Sequence, residues 1–154
     1  MIVLSFVVRK VDSKLLPDVY RLERACFSHA YTWFYVKTLF RRSPETFLVA
    51  VSGSSVLGYA VAEVKGVLGH LISIAVDHRH RKRGVGEALF AELSKALSSL
   101  HAKKIVLEVR KSNIEAQQFY RKLGFKQCGL IIGYYEDRED ALVFSRQPLP
   151  PTSK

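Results

Sequence analysis

Residues 79–90 read RHRKRGVGEALF: Arg79, His80, Arg81, Lys82 and Arg83 run directly into Gly84-Val85-Gly86. From Val85 the apolar residues Leu89, Leu93, Ala96, Leu97 and Leu100 follow at helical spacing, so the glycines stand where a loop turns into a helix. Without side chains there, backbone can approach a ligand closely and present the free N–H groups of the first helical turn. The helix dipole adds positive potential at the same point, and the basic run extends it. Such an arrangement suits phosphate. Taken alone, Gly-x-Gly is better explained as a glycine-rich helix start in a solvated loop, so the surrounding pattern has to decide.

Two phosphate loops do not fit. A P-loop ends in Gly-Lys-Ser/Thr, and no such run occurs. A dinucleotide fingerprint needs a third glycine at position 89, which is Leu89, and a regular βαβ frame. Working outward, Ile2 to Val8 reads as a first strand, and DSKLLPDVYRLERACF places Leu15, Val19, Leu22 and Cys26 on one helical face behind a cap at Asp12 or Ser13. TWFYVKTLFRR reads as a second helix capped by Thr32, then TFLVAV, SGSS and VLGYAVAEV as a hairpin. Gly66 and Gly69 bracket another turn before HLISIAV, residues 70–76. Beyond the glycine helix come a strand KIVLEV (104–109), a helix capped by Asn113 and stopped by Gly124, and closing strands near 126–132 and 140–145. The predicted order is β-α-α-β-β-β-α-β-α-β-β, a mixed α/β (α+β) pattern too irregular for a doubly wound sheet. Residues 1–146 are expected to form a single domain, and the Pro-rich 147–154 a frayed tail.

With 154 residues, 48% of them hydrophobic, the chain can bury a core without metal or disulfide. The opening apolar run is too short to span a membrane and lacks a cleavage site, so the expected location is cytoplasmic, with no membrane partner. Cys26 and Cys128 form no Cys-x-x-Cys and read as buried free thiols, with a disulfide between them as the alternative. His78 and His80 lack a third ligand at suitable spacing, so no metal is assigned. The net charge of +10 asks for an anionic partner, and its concentration beside one loop favours a phosphorylated small molecule over a nucleic-acid stripe.

Arg81-x-x-Gly84-x-Gly86 resembles the Arg/Gln-x-x-Gly-x-Gly/Ala motif of the GNAT acyltransferases, and the likeness extends through AVDHRHRKRGVGEALF, LEVRKSNIEAQQFYRKLGF and GYYEDREDALVF. It covers about residues 2 to 146 and is nearest to the RimI/Ard1-like protein N-terminal acetyltransferases. The resemblance implies a GNAT fold, a mixed but mostly antiparallel sheet flanked by helices, with two strands splayed at the cofactor. It implies acetyl-CoA as cofactor and protein or peptide N-termini, ribosomal or nascent chains among them, as acceptors, with no direct reading of nucleic acid. The acetyl group passes by direct attack of the amine on the thioester. Residues implied to hold the cofactor are the backbone of Ile74, Ala75 and Val76, the loop Arg81, Lys82, Arg83, Gly84, Val85, Gly86 and Glu87, and Asn113 and Tyr120.

Tyr120 matches the family tyrosine that protonates the leaving thiolate; its other explanation is an amphipathic core position. Glu108 lies in an apolar strand, where a lone carboxylate is costly, so it is either paired with a basic neighbour or faces a cleft. The family places its general base there, and His70 matches a histidine of Ard1-like relatives as second candidate. Glu23 and Phe27 resemble the family's Glu-x-x-x-Phe segment on the substrate side. Tyr134 and Tyr135 of GYY resemble its peptide-clamping tyrosines, with Gly133 in place of an asparagine. An α-amine of pKa about 7.8 is roughly one-tenth neutral at pH 7, whereas lysine near 10.4 is neutral only a few times in ten thousand. An N-terminal acceptor therefore asks less of a carboxylate base. The alternatives are a GNAT acting on lysine or a small amine, a nucleic-acid-binding domain, and a GNAT that binds coenzyme A without catalysis.

Overall fold

The computed structural model describes residues 4–150. Strands β1 (Val7–Lys10), β2 (Phe47–Ser52), β3 (Ser55–Lys65), β4 (Leu68–Val76), β5 (Lys104–Arg110), β6 (Lys126–Ile131) and β7 (Ala141–Arg146) form one seven-stranded sheet in the order β1-β2-β3-β4-β5-β7-β6. Every neighbouring pair is antiparallel except β4 and β5. Helices α1 (Leu16–Cys26) and α2 (Trp33–Arg42) precede β2, α3 (Val85–Ser99) joins β4 to β5, and α4 (Ile114–Lys122) joins β5 to β6. The predicted element order and mixed sheet are present.

Two cores share the sheet. On one face α3 supplies Val85, Leu89, Leu93 and Leu97 against Leu57, Ala60, Ile105, Leu107 and Phe144, all buried. On the other, Val19, Leu22, Val36 and Leu39 of α1 and α2 pack on Phe47, Val49, Tyr59 and Val61. Leu100, read as part of the α3 stripe, lies just past the helix and is exposed. Of the described residues, no helix is long and apolar enough to cross a membrane.

Local signals held where a side chain caps a helix. Thr32 accepts from Tyr35 N at 3.1 Å, and Asn113 accepts from Ala116 N at 3.1 Å. Asp12 instead accepts from Lys14 and Leu15 N in the turn ahead of α1, whose N-cap is Leu15. The first strand lies later than expected. Its register runs only from Val7↔Val51 to Lys10↔Leu48, because β2 turns into β3 just past Val51 and leaves residues 4–6 no partner; residues 1–3 of the expected strand lie outside the described residues. Gly69, expected in a turn, sits inside β4. The closing segment is also tied down over its described part: Leu149 N donates to the buried Ser94 Oγ of α3 at 2.6 Å, while 151–154 of the expected tail lie outside the described residues. Cys26 is partly buried and Cys128 exposed, both free thiols, so the expected burial fails for Cys128 because edge strand β6 is solvated along its length.

Leu93 is fully buried at the centre of the α3 face. Leu93→Ala is expected to cost about 2–5 kcal/mol in chemical denaturation with the denaturant slope unchanged.

Candidate active site

β4 and β5 run side by side for only three residue pairs, Leu68↔Lys104, Gly69↔Ile105 and His70↔Val106. Beyond these, β4 stays with β3 up to Val76↔Gly58, while β5 follows β7 from Leu107↔Phe144 to Arg110↔Ala141. A wedge therefore opens in the sheet from Ile72 onward. Asp77 N donates to Leu57 O at 2.8 Å, and antiparallel neighbours alternate, so Ala75 is the next residue turned toward β3. Ile74 and Val76 then face the wedge with their main-chain groups. Ala75, grouped with them from sequence, is turned the other way.

The glycine loop meets the wedge at the start of α3. Gly84 has φ +84° with open space where a Cβ would project, a conformation that disfavours any side chain. The first helical bond of α3 is Ala88 N to Gly84 O at 3.0 Å, so the N–H groups of Val85, Gly86 and Glu87 have no helical acceptor, and none donates elsewhere among the described residues. Gly86 serves a second purpose: a Cβ would come within 2.9 Å of the Phe119 ring of α4, so the missing side chain lets two helices meet beneath the wedge. The basic run divides. Arg79 is held by Asp77, whose carboxyl sits at about 2 because Arg79 hydrogen bonds to it, and Arg81 Nε donates to Val76 O at 3.0 Å. Lys82 and Arg83 remain exposed, and Glu87 lies 3.6 Å from Lys122. Three amides unpaired among the described residues, an open Gly84 and two exposed cations fit a pyrophosphate.

Where the strands part, His70 Nε2 lies 2.8 Å from Glu108 Oε1 and 3.1 Å from Oε2, and Tyr134 donates its hydroxyl to Oε1 at 2.9 Å. Burial pushes the Glu108 carboxyl up, but hydrogen bonds and charge from His70 and the Tyr134 hydroxyl outweigh it, leaving the group below its usual range. The Tyr134 phenol is pushed up to about 12 by burial and by Glu108, so it stays a donor at neutral pH. Tyr120 packs among Phe119, Phe125 and Phe144, and burial raises its phenol well above the usual value, with Tyr135 adding to the shift. Its hydroxyl has no hydrogen-bond partner among the described residues. Asn113 is exposed, with Oδ1 occupied by the helix cap.

Two loops border the wedge. Glu23 is buried, its carboxylate turned inward to accept from Tyr59 OH, from Ser73 Oγ at 3.4 Å and from Tyr31 N at 2.9 Å. Phe27 ends α1 with its N–H on Glu23 O and packs partly buried against the second core. Across from them, Tyr135 lies under the Arg110 guanidinium, 4.0 Å from ring centre to Cζ, and Tyr134 stands edge-on to Tyr135. Arg110 also grips Asp137 and Glu139 of the β6–β7 loop at 2.9 and 2.8 Å, and Glu139 caps Ser112 N at 2.8 Å, so one guanidinium orders that wall.

Residues 16–125 match the model of the acetyltransferase (GNAT) family. This chain belongs to the GNAT acetyltransferases. It is 34% identical to an uncharacterized N-acetyltransferase of Methanocaldococcus jannaschii, over 92% of this chain and 91% of that one. It is 28% identical to an N-alpha-acetyltransferase of Saccharolobus solfataricus, over 92% and 93%. The crystal structure of Ard1 from Thermoplasma volcanium superposes with a TM-score of 0.89 at 31% identity, covering 95% of this chain and 99% of that one.

The cofactor of this acetyltransferase is acetyl-CoA, and the cradle's free amides suit its pyrophosphate. Sequence reasoning missed Tyr31, Tyr59, Ser73 and Arg110. Tyr59 left a signal, since a tyrosine in the apolar run VLGYAVAEV needs a partner for its hydroxyl. Tyr134→Phe removes a hydrogen bond that favours the ionised Glu108, so the Glu108 pKa is expected to rise in the variant, followed by its carboxyl-carbon NMR shift during acid titration. Because the folded-state value lies below the unfolded one, the stability linked to Glu108 is present above the unfolded pKa and lost as pH falls through the folded one.

Proposed function

We propose that this acetyltransferase acts on the α-amino group of protein N-termini, with Glu108, paired to His70, accepting the proton of the amine. The observation that carries this is the hydrogen-bonded group His70–Glu108–Tyr134 at the mouth of the wedge. A carboxylate held below its usual pKa is a weak base, suited to an amine already partly neutral at pH 7 and poorly suited to lysine. The tyrosine walls support an extended polypeptide as acceptor, and the relative from S. solfataricus is named for the same activity.

Ile74 and Val76 bind through their main-chain groups, Val85, Gly86 and Glu87 through their amides, and Lys82 and Arg83 by charge. Asn113 sets the start of α4, which carries Tyr120. When bound, acetyl-CoA supplies the thioester that the amine attacks. Tyr120 Oη holds a proton for the departing sulfur; its raised pKa keeps it neutral and makes it a hydrogen-bond donor to negative charge before it is an acid. Phe27, Tyr134 and Tyr135 line the acceptor, and Glu23 supports the loop beside it.

The test is acetyl transfer to peptides with free or blocked N-termini, each with and without an internal lysine, with the acetyl group located by mass. Modification is expected on free α-amines only, and Tyr120→Phe is expected to lower kcat by about 10²-fold or more with acetyl-CoA affinity unchanged. Transfer to lysine in blocked peptides overturns the N-terminal assignment.

A further inference from the structure

The side chains of β5 alternate between the two faces of the sheet. Ile105, Leu107 and Val109 are buried in the core beneath α3, so Lys104, Val106, Glu108 and Arg110 project from the other face. Helices α1 and α2 cover that second face only over β2, β3 and β4. The core they build takes Phe47, Val49, Tyr59, Val61 and Ala75, and among the described residues nothing from β5, β6 or β7. Past β4 the face is open, and Val106, Val143 and Ser145 on it are only half-buried.

The two ends of this open face differ in charge. Where the strands part it carries Glu108, held by His70 and Tyr134. At the other end the register aligns Lys65, Leu68 and Lys104 across β3, β4 and β5. One row nearer the wedge it aligns Val106, Ser145 and Lys126 across β5, β7 and β6. Paired residues share a face, so all three lysines stand on the open side. Each is exposed, and none has an acidic partner among the described residues. The segments that carry them, 64–76, 93–107 and 116–135, hold no Asp or Glu. Glu63, two residues before Lys65 on β3, is taken by Arg42 at 2.8 Å.

A polypeptide whose α-amine reaches Glu108 lies on this open face, since the core beneath α3 fills the other. From Glu108 to Lys104 is four residues of β5, about 13 Å at about 3.3 Å each. An extended acceptor laid along β5 advances at the same rate, so its fifth residue comes level with Lys104. We propose that Lys65, Lys104 and Lys126 bind an acidic segment of the acceptor, at about the fourth to sixth positions behind the amine. The favoured substrates are then protein N-termini followed by a short run of Asp or Glu. The assignment rests on the N-terminal reading of the acceptor given above. The three lysines take no part in the chemistry; they hold the trailing chain by charge, and exposed pairs of this kind are screened by salt.

The experiment compares kcat/KM, at saturating acetyl-CoA, for three lysine-free peptides with free N-termini and the same first three residues. One carries Glu at its fourth to sixth positions, one Ser there, and one has the Glu run moved to its tenth to twelfth. The wild-type enzyme is expected to favour the first over the second by about fivefold or more at low salt, through KM, with the advantage shrinking as salt rises. Lys65→Glu combined with Lys104→Glu is expected to abolish or reverse that preference while KM for acetyl-CoA stays unchanged. The milder pair Lys65→Gln and Lys104→Gln is expected to reduce it. Lys95→Glu, on α3 across the sheet, changes charge equally per site and is expected to keep it. Equal rates with the Glu and Ser peptides, an equal advantage for the displaced run, or a preference unmoved in both double variants overturns the assignment. Absence of transfer to any of the free α-amines by the wild-type enzyme overturns the N-terminal reading beneath it.

Discussion

The site exists because two parallel strands stop pairing after three residues. A buried strand edge normally has its N–H and C=O groups paired, and an unpaired one is a template for whatever extended chain arrives. In this acetyltransferase the wedge between β4 and β5 leaves such an edge at Ile74 and at the Val76 N–H, the Val76 carbonyl being taken by Arg81, and nearby groups are arranged around it. The helix that begins where β4 ends aims its first amides at the same opening. The last paired residue, His70, brings its side chain to Glu108 on the diverging strand. The wedge, the free amides of α3 and the His70–Glu108 pair are thus one consequence of where the ladder ends.

Polar groups in this part of the molecule are satisfied in pairs and triplets. Arg81 closes the Val76 carbonyl, Arg110 binds a whole loop, and Glu23 collects three neutral donors. Each such network constrains geometry more than it adds stability, since several of these charges are partly solvated. The result is a hydrogen-bonded wall beside the wedge built from loops, which by themselves would be the least ordered parts of the chain.

Much of this was legible in the sequence. The order of elements, the Thr32 and Asn113 caps and the glycine start of α3 are local features, and local signals carried them. Glu108 drew attention because a carboxylate in LEVR conflicts with its apolar surroundings, and two explanations were open, pairing or a cleft. The structure supplies both at once, through His70 and the wedge. That pairing could not be read beforehand, because it depends on which residue ends a three-pair register between residues 36 positions apart. The same holds for Glu23: its partners Tyr59 and Ser73 come from two different strands, so spacing along the chain says nothing of its inward direction. The first strand was misplaced for a related reason, its limits being set by the length of β2 and not by its own apolar residues.

The amide of Leu149 on Ser94 joins the end of the described chain to the middle of α3. Ser94 is fully buried, and it lies nine residues, about 14 Å along the helix, from Val85 at the start of α3. Shortening the chain before Leu149, or pulling it away with a fused tag, would strip a buried hydroxyl of its donor and let water in behind that helix. Leu149 in this sense braces the middle of the helix whose first amides face the wedge.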